Sequence, residues 1–375
     1  GRMSTALCHA WATHPAITTL IMVSNARQRN TRFVLPASTS QCHHHILDCA
    51  PFGIREAWEV ARIIAKHRPD WVYTPYPRLP AAPLRSRLLV TIHDAIPFTT
   101  PVPWWVQFGM RVAWMDCALR ATHITTVSPH AAQQIGAQLW PQRQVHIIPN
   151  GIDERFFAAA PPLDNHALGI HQTYDLCVSS NQIHKNLATL VAAWAAAYQH
   201  IPPHQPRSLV IAGQFDDTRP QPWREPQYQH LPIVVIPSPT DALLHALYQH
   251  ATLFIYPSLA EGFGLPVAEA MASQLAIICH DHPALRTLVG NDAWVIDMHN
   301  QALLQQTIAS AWQHDTQRDL YARQLRQRAT QLTWSRAADA YLALMHPYTS
   351  APRYIPWSAL CNPITPIMCL IGGGC

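Results

Sequence analysis

Nine consecutive residues carry the densest chemistry in this chain: Glu261-Gly262-Phe263-Gly264-Leu265-Pro266-Val267-Ala268-Glu269. The short apolar run 253–256 before them reads as a buried strand, and Pro266 stands where a helix accepts proline near its start. Two glycines in between let the backbone turn tightly and let a ligand approach the main chain. N–H groups at a helix start favour an anion, and flanking carboxylates are natural acceptors for sugar or ribose hydroxyls. The same residues suit a plain strand-to-helix turn in which Glu269, in the first turn, complements the helix dipole. Spacing alone leaves both readings open.

The other chemical signals are shorter. Only two of the 26 Lys and Arg residues are lysines, Lys66 and Lys185. Lys185 immediately precedes Asn186, a candidate N-cap for a helix over 187–200, so a cation meets a helix start as an anion site requires. A solvated surface lysine is the alternative. His93-Asp94 follow a strand over 88–92, a pairing that is also common in purely structural loops. Cys42-His43-His44-His45 follows a Ser/Thr/Gln stretch without metal-ligand spacing and reads as an exposed polar loop. The Trp residues of 102–114, including Trp104-Trp105, read as helix packing, with an acceptor or membrane edge as the alternative.

The elements that must position these residues alternate between short β-rich runs and helical periods, which predicts α/β layers with parallel sheets. A first set has strands over 70–73, 88–92, 123–127 and 145–148, with helices over 56–67, 105–120 and 129–139, the last capped by Ser128. A second set has strands over 176–179, 208–212, 233–236, 253–256, 276–279 and 293–296. Its helices run over 187–200 and over 242–249, capped by Asp241, and further helices fill 301–345. Two such sets suggest two Rossmann-like domains facing across a cleft, with chemistry in the loops after strands. The last 29 residues, 347–375, hold five prolines and no period, and read as an irregular tail outside the fold.

Composition excludes several classes. With 49% hydrophobic and 13% charged residues over 375 positions, the chain is not disordered and can bury two cores. A net charge of +4 without a basic block points to no nucleic-acid partner. Nine scattered cysteines suggest reduced thiols, and no apolar run reaches about 18 residues. A cytoplasmic protein is expected, with peripheral contact to the inner face of a membrane.

The Glu261–Glu269 segment resembles the E-x7-E motif of glycosyltransferase family 4, retaining enzymes of the GT-B fold, and the match extends through Ala272. Companion segments stand in the family's order. His184-Lys185-Asn186-Leu187 is similar to its phosphate-binding R-K-N-L turn, Thr91-Ile92-His93-Asp94 to its HD loop, and Val127-Ser128 to its V-S segment. Pro149-Asn150-Gly151-Ile152-Asp153 resembles P-N-G-V-D, and 334–345 resembles the closing helix that crosses back to the first domain. The resemblance implies an acceptor domain over 1–153, a nucleotide-sugar domain over 154–333, a crossing-back helix over 334–346 and the tail over 347–375. It further implies that Glu261 meets the donor sugar, Glu269 the ribose and Lys185 the diphosphate. His184, Gly262, Phe263, Gly264 and Leu265 complete the donor site, and His93 lies near the transferred sugar. The expected reaction is retaining, metal-independent hexosyl transfer, mannosyl-like, from a UDP- or GDP-linked sugar to a glycan or lipid-linked acceptor. No cofactor is expected.

The chain departs from the family in places. His184 replaces an arginine, Ser179-Ser180 stands where Gly followed by Thr or Arg is common, and Thr287 stands where Glu is frequent. The family's opening strand and G-G-I-G-R loop are expected to be missing, with Gly1-Arg2 as their remnant. The alternative function is therefore a truncated or degenerate GT-B chain that binds nucleotide sugar or a partner without turnover. Dinucleotide oxidoreductases are disfavoured because Gly262 and Gly264 are followed by Val267 rather than a third glycine. No lysine follows a glycine, which excludes a phosphate-loop NTPase, and no Asp-x-Asp occurs.

Overall fold

A computed structural model describes residues 2–26, 34–50, 53–78, 80, 85–99, 102–201 and 205–345, and the backbone of 367–371. The chain divides into two compact units, one of Gly1–Gly151 with Trp334–Cys375, the other of Ile152–Thr333. The first begins with helix α1 (Arg2–Ala12) and strands β1 (Leu20–Asn25) and β2 (Cys42–Leu47). There follow α2 (Ile54–His67), β3 (Trp71–Thr74), β4 (Arg87–Thr91), α3 (Ile96–Thr99), α4 (Trp104–Arg120), β5 (His123–Thr126), α5 (Pro129–Gln138) and β6 (Val145–Ile147). Ser128 caps α5 by accepting the Ala131 N–H at 3.1 Å. Cys42–Leu47 is a strand, so the expected polar loop at His43–His45 is corrected.

The second unit runs β7 (Thr173–Val178), α6 (Leu187–Tyr198), β8 (Arg207–Gly213), β9 (Ile233–Pro237), α7 (Asp241–His250) and β10 (Leu253–Tyr256). It continues with α8 (Leu265–Ala272), β11 (Ala276–His280), α9 (Pro283–Val289), β12 (Trp294–Ile296), α10 (Gln301–Gln313) and α11 (Asp315–Ala329). Its six parallel strands are ordered β12-β11-β10-β7-β8-β9. Strands β7, β8 and β10 are buried on both faces, as a parallel sheet covered by helices demands, with polar residues only towards the starts of β7 and β8. Thr240, not Asp241, caps α7, its hydroxyl accepting from Leu243 N–H at 3.2 Å. At the start of β7 the buried Asp175 accepts from Arg207 at 2.8 Å and from the indoles of Trp194 and Trp312 at 2.8 and 2.9 Å. Burial pushes its carboxyl up, while those donors pull it down.

After α11 the chain returns to the first unit through α12 (Trp334–Met345) and β13 (Ile367–Ile371). Helix α12 buries Ala338, Tyr341, Leu342 and Met345 in a core shared with Leu7 and Trp11 of α1 and with Leu20, Met22, Trp71 and Tyr73 of the sheet. Ile21, Val23, Val72, Val90 and Ile124 point to the opposite face, into a core with α2, α4 and α5. Tyr341 sits edge-on to Tyr73 at 5.4 Å, and its hydroxyl lies 3.0 Å from Thr91 Oγ1.

Strand β13 corrects the reading of 347–375 as a tail outside the fold. It lies inside a seven-stranded parallel sheet of order β2-β1-β13-β3-β4-β5-β6, paired with β1 on one side and β3 on the other. That is the place of the first strand in a doubly wound sheet, the strand expected to be missing. Residues 346–366 and 372–375 of the expected tail, and Gly1, lie outside the described residues. Ending the chain after Met345 leaves β1 and β3 with bare edges in the middle of the sheet. Such a variant is expected to aggregate in size-exclusion chromatography; a monomer with the parent's urea midpoint would contradict the pairing.

Candidate active site

In the second unit the chain fills β7, β8 and β9 outward in one direction, then returns to β10, β11 and β12 on the other side of β7. The sheet order therefore reverses between β7 and β10, and a crevice forms outside the carboxyl ends of strands at such a point. The loop after β7 carries His184 and Lys185, and the loop after β10 carries Glu261. Topology alone brings the two loops together.

Their side chains close the contact. Lys185 Nζ donates to Glu261 Oε1 at 2.5 Å, and the Tyr256 hydroxyl donates to the same oxygen at 2.6 Å. Lys185 Nζ also lies 3.4 Å from that hydroxyl and over the Tyr256 ring. The loops are joined through the main chain too, Leu259 N–H donating to His184 O at 2.8 Å. Burial raises the affinity of Glu261 for a proton, but the Lys185 ammonium and the hydroxyl donors outweigh it and hold the carboxyl below its ordinary value. The contribution of the pair is accordingly complete at neutral pH and lost as pH falls through that depressed pKa. The Tyr256 phenol is pushed well above its ordinary value by burial and by Glu261.

The glycine turn is shaped by two constraints. Gly264 has φ +91°, and a Cβ there would stand 2.6 Å from Leu285 Cδ2. Leu265 is the first helical residue and Pro266 the second, with Phe263 buried beneath the turn. Glu269 lies in the second turn of α8 and is 4% exposed, which corrects its expected first-turn position and removes the simple dipole role. Asn186 departs from a standard cap. It is left-handed at φ 53°, its side chain makes no cap bond, and its amide instead donates to Met298 O at 3.1 Å. Gly213 ends β8 so close to the Ser179 carbonyl that a Cβ would fall 1.8 Å from its oxygen.

His184 is held below the ordinary imidazole range, first by burial and then by Lys185, with Glu261 opposing and Arg219 adding to the depression. A neutral ring at this point offers a hydrogen bond to an anion in place of the arginine's fixed charge. Arg219, in the loop after β8, is a nearby cation that sequence reasoning missed, as it missed Tyr256 and Asn181. Asn181 locks the Arg219 loop in place, donating to Asp216 O and accepting from Asp216 N–H, both at 2.8 Å. Tyr256 had a legible signal, being the last residue of a strand five positions before Glu261.

His93 belongs to the first unit, after β4. Its Nε2 lies 3.0 Å from the Pro75 carbonyl, and burial depresses its pKa against the pull of Asp94. Asp94 caps the turn ahead of α3 by accepting from Ile96 N–H at 3.0 Å. Nearby strand ends carry a network that the sequence did not disclose, Glu56 accepting from Asn25 at 2.8 Å and from Arg78 at 3.0 Å.

Removing one member of the Lys185–Glu261 pair strands a charge that is only 15% or 10% exposed. Lys185→Met and Glu261→Gln are each expected to destabilise the second unit by about 3–5 kcal/mol. The double variant is expected to lose clearly less than their sum in urea denaturation; additivity would mean the pair is not formed.

Residues 20–156 match the sequence family described as Glycosyltransferase Family 4, and residues 174–314 match Glycosyl transferases group 1. The O-antigen chain mannosyltransferase RfbU of Salmonella typhimurium strain LT2 is 24% identical over 60% of this chain and 61% of its own length. The O-antigen chain mannosyltransferase B of Escherichia coli is 33% identical over 25% of each chain. The chain thus spans less than two thirds of these relatives. Among solved structures, sucrose-phosphate synthase from Thermosynechococcus elongatus superposes with a TM-score of 0.72 at 17% identity, covering 92% of this chain and 91% of that one. That likeness establishes the GT-B fold.

Proposed function

Because the chain belongs to family 4 of the glycosyltransferases, the group 1 proteins, we propose that it transfers a hexose, mannose in the first instance, from a nucleoside diphosphate to a hydroxyl of a growing glycan or lipid-linked acceptor. The observation that carries this reading is the Lys185–Glu261–Tyr256 cluster at the sheet reversal of the second unit. The O-antigen mannosyltransferases to which the chain is similar support the choice of sugar and a role in polysaccharide assembly.

In this proposal Lys185 and the α8 start receive the diphosphate, and His184 donates a hydrogen bond to it. Glu261 accepts from the sugar hydroxyls, and Glu269 binds the ribose. The bond from C1 of the sugar to the phosphate oxygen breaks while the acceptor oxygen bonds to C1 on the same face. The acceptor's proton leaves with the diphosphate, so no carboxylate nucleophile and no metal is called for. Lys185 acts on charge that grows on the leaving group, the term that electrostatic catalysis rewards most. His93 serves on the acceptor side, with Nδ1 free to accept when Nε2 donates to Pro75.

The reaction takes place at the cytoplasmic surface of a membrane in this reading. Helix α4 supports it: Trp104, Phe108, Val112, Met115 and Leu119 recur at helical spacing and are exposed, Trp104 by 78%, with Trp105 beside them. Trp114 alone of these tryptophans packs into the core, which corrects the expectation that the cluster is helix packing. Trp and Leu on one face suit the headgroup boundary of a bilayer. Among the described residues no helix is long and apolar enough to cross one.

Transfer from GDP-mannose and from UDP-hexoses, read by release of the nucleotide, tests the reaction. Lys185→Ala is expected to lower kcat/KM by about 100-fold. Calorimetric donor binding without release of product would reject transfer and keep the binding-only alternative; no binding of any donor would reject both. Trp104→Ser with Trp105→Ser and Phe108→Ser is expected to abolish sedimentation with phosphatidylglycerol vesicles. Undiminished sedimentation would reject α4 as the contact.

A further inference from the structure

Strand β2 carries three histidines in succession, and α2 ends on a fourth. Side chains of a strand alternate, so His44 leaves on one face, where its Nε2 lies 2.8 Å from the Ser24 hydroxyl. His43 and His45 leave on the other, and there they meet His67. His45 Nε2 and His67 Nε2 are 3.0 Å apart, with ring centroids 5.0 Å apart. The His43 ring stands 6.0 Å from that of His67 and tilted to it by 32°.

Two ring nitrogens at that distance can share one proton, which uses one lone pair and leaves the arrangement idle otherwise. A cation that accepts both lone pairs uses it fully. We propose that His45 and His67, with His43 as a third arm, form a binding site for a borderline divalent transition cation such as Zn2+ or Ni2+. Bonds of about 2.0–2.1 Å in a tetrahedron hold ligand nitrogens roughly 3.3 Å apart, so the pair opens by only a few tenths of an ångström. His43 shares the face of His45, its ring centroid 6.0 Å from that of His67, and has to move closer to complete the set. The remaining position falls to water. The bound ion fastens the end of α2 to β2, the edge strand of the first unit's sheet, and takes no part in sugar transfer.

A second group, His280, Asp297 and His299, has ligand atoms within 4.8 Å of one another. It is the weaker candidate on chemical grounds. His280 Nδ1 accepts from Met298 N–H at 3.2 Å, so a neutral ring carries its proton on Nε2 and has no lone pair to give. It supplies the control.

Calorimetric titration of the tag-free chain with Zn2+ is expected to show one saturable site. His45→Ala and His67→Ala should each weaken it at least about tenfold, and His299→Ala should leave it unchanged. Far-ultraviolet circular dichroism checks that each variant is folded, and His67→Gln repeats the test with a polar side chain retained. Cobalt substitution should give visible bands without the thiolate absorption that a cysteine ligand would add. Absence of saturable binding, binding that survives loss of both His45 and His67, or binding removed by His299→Ala would each overturn the assignment.

Discussion

The contact of Lys185 with Glu261 ties together the two loops at the sheet reversal of the second unit. Two charges that are largely withdrawn from water need each other, so the loop after β7 and the loop after β10 cannot be placed independently. The Leu259–His184 main-chain bond and the Tyr256 hydroxyl join the same two loops. The pair also defines what a ligand must bring. An anion arriving at Lys185 must share its charge with Glu261, and a hydroxyl arriving at Glu261 Oε1 meets the Tyr256 hydroxyl already bonded there. In the proposed reaction, the diphosphate and sugar halves of the donor would therefore be coupled through this one ion pair.

The opposite ends of the same strands are built for rigidity. Asp175 at the start of β7 gathers a guanidinium and two indole N–H groups from β8, α6 and α10, a full set of partners for a buried carboxylate. Satisfied networks of that kind specify one arrangement of the helices around the sheet. Ten residues further on, the chain leaves β7 and reaches Lys185. A fixed base at one end of the strand and the Lys185–Glu261 loops at the other is how a parallel sheet separates stability from chemistry.

The legible parts of the sequence were those where one local rule sufficed. Buried parallel strands announce themselves as apolar runs, which is why β10 was placed to the residue and β8, β9 and β11 nearly so. Lys185 stood out because lysine is rare here, and the glycine turn because its motif is dense. Where two rules compete, reading failed: Asp241 looked like a cap, yet Thr240 one position earlier makes the bond. Strand β2 reads Cys-His-His-His, which no hydrophobic pattern identifies, and its pairing with β1 decides its state. Helix α4 is apolar on two sides, so periodicity could not say which tryptophans face inward. Arg219 reaches His184 only through the fold of a distant loop, and nothing local to either residue announces that.

The insertion of β13 also sets an order in time. Ile147 closes β6, and Ile367 opens the strand that the middle of the same sheet awaits. Some 220 residues, including the whole second unit, are translated in between, about 10–40 s at ordinary elongation rates. The second unit has every strand it needs before the first has its centre. A nascent chain therefore carries β1 and β3 as two exposed parallel edges while a finished domain forms behind them. The first unit becomes a single sheet only once β13 has been made and inserted between β1 and β3.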